Sequence, residues 1–169
     1  MRKIVILSFL LLISLSLQAK KDTILLFHPT EYNISTIQFL VENDIFQLDK
    51  FHFKGVYHIR ENYNYSQSLK FLEANPGLPF SLHEVKEELT VRMIYEPNLC
   101  SPEFESLFHN SEGAIFMGGP DIPPESYNEL THLLTRVSDP GRHYLELSYL
   151  FHIMGGFRNS IAVPLMKDK

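Results

Sequence analysis

Thr23-Ile-Leu-Leu-Phe-His28, closed by Asp22 on one side and Pro29 on the other, is a short, unbroken apolar run. Such a run suits a strand buried on both faces, as in a parallel sheet. Thr30 to Leu48 follows, with Ile34, Ile37, Leu40, Val41, Ile45 and Leu48 at helical steps of three and four. Gly55-Val-Tyr-His-Ile59 is the next strand, and Ser66 to Glu73 a short helix stopped by Asn75-Pro76-Gly77. Pro79 to Val85 alternates apolar residues, while Glu84 to Asn98 carries no decisive pattern. Ser101-Pro102-Glu103 opens a helix that ends near Asn110, with Ser101 as its cap, and Gly113-Ala-Ile-Phe-Met117 is a further buried strand. Glu125 to Val137 is amphipathic through Tyr127, Leu130, Leu133, Leu134 and Val137, which predicts a helix. Pro140 to Met154 predicts another, closed by Gly155-Gly156. Strands alternating with helices give an α/β fold, a mostly parallel sheet with helices on both faces.

The chain has 169 residues, 44% hydrophobic and 21% charged, which fits one ordinary globular domain. A single cysteine, Cys100, excludes an internal disulfide framework and a cysteine-rich zinc site. A net charge of −5 argues against nucleic acid as a partner. Met1-Arg2-Lys3 is basic, Ile4 to Leu17 is apolar apart from three serines, and Gln18-Ala19 precedes Lys20-Lys21-Asp22. That order predicts a secretory signal peptide over residues 1–19, an exported mature chain over residues 20–169 and no membrane attachment once the leader is removed. An uncleaved N-terminal anchor is the alternative. The apolar run falls short of the roughly 20 residues that cross a bilayer.

Gly113-Ala-Ile-Phe-Met117 runs straight into Gly118-Gly119-Pro120-Asp121. Paired glycines let the backbone turn and leave N–H groups uncovered, which suits a developing oxyanion as well as a plain turn. Downstream lies Asp139-Pro-Gly-Arg142-His143-Tyr-Leu-Glu146. The two motifs, in this order, resemble the class I glutamine amidotransferase-like superfamily, and within it the γ-glutamyl-γ-aminobutyrate hydrolase type. Those proteins join a strand of form apolar-apolar-x-Gly-Gly-x-Asp to an Asp-x-x-Arg-Asp-x-x-Glu helix. Asp139, Arg142 and Glu146 match, and His143 stands where the family has a second acid. The match covers residues 113–156 well and residues 23–28 loosely.

The resemblance implies a flavodoxin-like three-layer sandwich and hydrolysis of a γ-glutamyl amide by a Cys-His-Glu triad, with a γ-glutamyl or glutamine-like small molecule as partner. It implies Gly118, Gly119, Pro120 and Asp121 as the oxyanion and substrate loop, and Arg142 and Glu146 as supporting residues. Arg142 and Glu146, four apart, can pair with each other or buttress the site, and Asp121 can cap the next helix or face substrate. The family's nucleophile follows the helix matched by residues 140–154, in a Gly-x-Cys-x-Gly turn, and no such turn or later His-x-Glu occurs before Lys169. Cys100 precedes the glycine strand and is read as a buried or free thiol. The expectation is therefore an incomplete sheet, marginal stability and a chain inactive alone by the family mechanism. The competing reading is a non-catalytic, exported small-ligand-binding domain.

Other constellations are bland. The eight histidines form no His-Glu-x-x-His or His-x-His, so neither metal nor cofactor is expected. Tyr57, Tyr63, Tyr65 and Phe71 either line a pocket or pack a loop, and packing is the preferred reading. Asn33-Ile-Ser35 and Asn64-Tyr-Ser66 fit the glycosylation pattern.

Overall fold

A computed structural model describes residues 22–155 and 164–168, so the predicted leader over residues 1–19 lies outside the described residues. The chain folds as a flavodoxin-like α/β sandwich around a four-stranded, all-parallel sheet. Strand β1 (Thr23–Phe27) leads to helix α1 (Glu31–Glu42), β2 (His52–His58), α2 (Ser66–Ala74) and β3 (Phe80–Val85). Then come α3 (Ser101–His109), β4 (Gly113–Phe116) and α4 (Pro140–Met154). The sheet order is β3-β2-β1-β4, so the chain moves outward from β1 to one edge and then crosses back to β1's other side.

Period-two alternation along β1 divides the core. Leu25 and Phe27 face α3 and α4, packing with Phe104, Leu107, Leu145 and Tyr149. Ile24 and Leu26 face α1, packing with Ile34, Ile37 and Phe53, and Phe71 and Leu72 of α2 lie against the same cluster. All five residues of β1 are buried, as its unbroken apolar run requires. The sheet remains open, with β3 and β4 as its edges among the described residues.

Several expected bounds move. Helix α1 stops at Glu42 because Asn43 caps it, donating its amide to Phe39, and Asp44 takes a left-handed φ of 55°. Strand β2 begins earlier than predicted, at His52, whose amide donates to Asp22. Ser101 lies inside α3 and is not its cap: Cys100 occupies that position, and the Ser101 hydroxyl accepts from the Asn98 amide. Glu84–Asn98 contains the end of β3 and a short 3₁₀ turn over Val91–Met93.

The helix expected over Glu125–Val137 does not form. A 3₁₀ turn spans Pro124–Tyr127 and stops at Asn128, which is left-handed at φ 63°. The rest is irregular, and Leu130, Leu133 and Leu134 are 95%, 100% and 80% exposed. Their spacing is amphipathic, but among the described residues no apolar surface covers them.

Candidate functional site

In an open parallel sheet, ligands bind beyond the carboxyl ends of the strands where the strand order reverses. Here that place lies between β1 and β4, and it holds a cleft of about 250 Å³. His28 from the end of β1, Asn62 and Tyr63 from the loop after β2, Pro120 from the loop after β4, and Asp139, Arg142 and His143 from the start of α4 line it.

His28 carries a left-handed backbone, φ 55°, which is uncommon outside glycine. Its carbonyl holds it there by accepting from the Thr30 amide at 2.8 Å and the Asn33 side chain at 2.8 Å. Asn33 is thus buried and engaged, which closes one of the two glycosylation motifs. The imidazole Nδ1 lies 2.8 Å from Glu61 Oε2 and 2.9 Å from the Tyr65 hydroxyl. Tyr65 donates to the same Glu61 oxygen at 2.5 Å, and burial with the Glu61 charge keeps its phenol protonated by raising its pKa. With that proton directed to Glu61, Nδ1 must carry its own, so in the neutral ring Nε2 is the lone-pair nitrogen. Glu61 Oε1 accepts from the His58 amide at 2.8 Å, which completes a rigid carboxylate.

Asp139 caps α4, accepting from the Arg142 amide, and its second oxygen accepts from the Asn62 amide at 2.9 Å. Helix α4 therefore docks on the loop after β2. At Gly141 a Cβ would meet the Arg60 carbonyl oxygen at 2.7 Å, so this close approach needs a glycine. One ligand atom from each of His28, Glu61 and Asp139 lies within 4.8 Å of the other two. His143, only 6% exposed, faces the same cleft, and its Nε2 has no hydrogen-bond partner among the described residues. Burial and then the Arg142 charge lower its pKa, so the ring is neutral.

Arg142 Nε donates to Glu146 Oε1 at 2.7 Å, and Nη2 reaches the carbonyls of Met117 and Gly118. The pair therefore forms, and the same guanidinium contacts the start of the glycine loop. Glu146 is buried enough that its pKa is raised although Arg142 pulls it down. A Cβ at Gly119 would collide with the Arg142 guanidinium, so the loop lies flat on this side chain only because the residue is glycine. Neither Gly118 nor Gly119 donates its amide to a protein group among the described residues.

The structure thus brings Gly118, Gly119, Pro120, Arg142 and Glu146 together at one crest. Asp121 stands apart: its carboxylate accepts from the Arg136 amide at 2.9 Å and its own amide donates to the Arg136 carbonyl, so it closes the loop and neither caps a helix nor lines the cleft. Cys100 is fully buried, and burial followed by Glu103 and Glu87 raises its thiol to about 11, so it offers no thiolate at neutral pH. Of the tyrosines, Tyr57 stacks on Tyr65 at 3.9 Å, which is packing, but Tyr65 also enters the His28 cluster.

Sequence reasoning missed His28, Glu61, Tyr65, Asp139 and His143 as one group. Two signals were present: His28 ends a buried strand, and His143 is the one departure within the α4 motif. Comparison with protein-family models, with curated proteins and with solved structures finds no match, so the crest is read from its own chemistry.

Proposed function

We propose that this is an exported α/β protein of γ-glutamyl hydrolase type whose crest between β1 and β4 binds a small γ-glutamyl or glutamine-like molecule. The observation that carries the reading is the glycine loop. Two amides without a protein partner among the described residues, those of Gly118 and Gly119, immediately precede Pro120, which lines the cleft at the sheet's reversal point, and Arg142 holds the Met117 and Gly118 carbonyls. A ligand carbonyl oxygen accepts from those amides, and the Asn62 and Tyr63 side chains flank it. With Cys100 buried on the α3 side, the described residues supply binding and no thiolate attack.

The experiment is thermal unfolding of the chain with millimolar L-glutamine, γ-glutamyl dipeptides and their α-linked isomers. The expected result is a melting temperature that rises with γ-linked ligand concentration, as ligand linkage requires, and stays flat for α-linked isomers. Release of amine from a γ-glutamyl amide should stay at the buffer rate. A flat response to every γ-linked compound overturns the reading. Export rests on the basic-then-apolar order of residues 1–19, and recovery of the expressed chain only from the cytoplasm, with residues 1–19 intact, overturns that part.

A further inference from the structure

We propose that the crest also binds one divalent transition cation of the zinc class, ligated by His28, Glu61, Asp139 and His143. The first ground is geometric. A ring nitrogen of His28 and carboxylate oxygens of Glu61 and Asp139 lie within 4.8 Å of one another, although they come from three distant parts of the chain. Zinc-type ions hold nitrogen and carboxylate ligands at about 2.0–2.2 Å, so binding draws these atoms inward and exchanges the His28–Glu61 hydrogen bond for bonds to the ion.

The second ground is independent of that cluster. His143 is 6% exposed, lines the same cleft and leaves Nε2 without a partner, in a place where buried polar atoms are normally satisfied. A buried imidazole nitrogen without a partner, on a residue lining a cleft that His28 and Asp139 also line, is a ligand atom left unused.

Charge supports the same conclusion. Glu61 and Asp139 are both buried, and Arg142, the guanidinium lining this cleft, is committed to Glu146 and to the carbonyls of Met117 and Gly118. Two buried carboxylates clustered with His28, one of them at the cleft wall, favour a cation over an anion there. Imidazole nitrogen in the donor set favours a transition ion over magnesium or calcium, which take oxygen ligands. Outer support is already in place, since Tyr65 and the His58 amide fix the Glu61 carboxylate and the Asn62 amide fixes Asp139.

The test is calorimetric titration of the purified chain with ZnCl₂ and with MgCl₂, repeated for His28→Ala, His143→Ala and, as an exposed-histidine control, His132→Ala. The expected result is one Zn²⁺ per chain, an affinity reduced at least tenfold in the first two variants and unchanged in the control, and no Mg²⁺ binding. Imidazole nitrogen resonances of the unaltered chain supply a readout that no folding defect can mimic. On adding Zn²⁺, those of His28 and His143 move and those of His132 do not. Absence of one-to-one binding, equal loss in the control, or movement confined to other histidines overturns the proposal. The cation is titrated without γ-glutamyl ligand, and the ligand experiment is run with chelator present, so either reading can fail alone.

Discussion

Helix α1 and the segment Glu125–Val137 carry apolar residues at the same helical spacing, yet they end in opposite states. In α1, Ile34 and Ile37 are 0% and 1% exposed, whereas Leu130 and Leu133 are 95% and 100% exposed. The difference lies in what each segment lands on. Helix α1 leaves β1, a central strand, and finds Leu26 and Phe53 beneath it. The later segment leaves β4, an edge strand among the described residues, and its two ends are tied together where Asp121 and Arg136 exchange hydrogen bonds. Periodicity states which face a helix would bury, and a partner surface decides whether it forms.

The largest effect is expected in the well-covered region. Phe104 is fully buried between Tyr149 and His152, so Phe104→Ala should cost about 3–5 kcal/mol in urea unfolding. A loss under 1 kcal/mol would mean that the α3–α4 face is loosely packed and the contrast with the glycine-loop side is false.

Arg142→Ala tests the join between the two regions. It leaves Glu146 buried without its partner and frees the Met117 and Gly118 carbonyls, so a loss of about 3 kcal/mol is expected. Hydrogen exchange should also rise at the Asp121 and Arg136 amides, which close the loop, and leave β1 protected. Equal loosening of β1 would show that the loop and the central core unfold as one unit.

Below these comes Gly119→Ala, at about 1–2 kcal/mol, because the added Cβ must push the Arg142 guanidinium aside. Gly118→Ala meets nothing within 4 Å of the new Cβ and serves as its control. A matching loss at both positions would trace the effect to backbone freedom and away from the Arg142 contact.

The acid side of the stability curve gives a further check. Burial holds His152 below its usual 6.5, with the Ser148 carbonyl opposing by accepting from Nδ1. The unfolded chain therefore binds this proton more readily, so its contribution is complete well above pH 6.5 and is lost as pH falls through that value. Replacement by glutamine should flatten the decline between pH 6.5 and acid, and an unchanged decline would assign the slope to other groups.

The order and type of the main elements were readable because each buried strand is a continuous apolar run and each covered helix shows a single apolar face. The bounds of α4 coincide with Pro140–Met154 because proline and glycine punctuate both ends. At the crest, only the part written locally was legible. Gly118 and Gly119 are adjacent, and Arg142 and Glu146 are one helical turn apart. His28, Glu61 and Asp139 meet only through the parallel sheet order, and the Asn62–Asp139 bond spans 77 positions. No spacing rule reaches that far.

The smallest predicted effect separates the two regions most sharply. Leu133 is completely exposed, so Leu133→Ser removes no contact among the described residues and should change unfolding free energy by no more than about 0.5 kcal/mol. Solubility should rise, because Leu130, Leu133 and Leu134 together present apolar surface to water. The informative alternative is a loss above 1 kcal/mol, which requires that Leu133 be covered in solution. In that case the helical spacing of Glu125–Val137 is used after all. The contrast with α1 then reduces to one of partner, since α1 packs on its own sheet and this segment on a surface beyond the described residues.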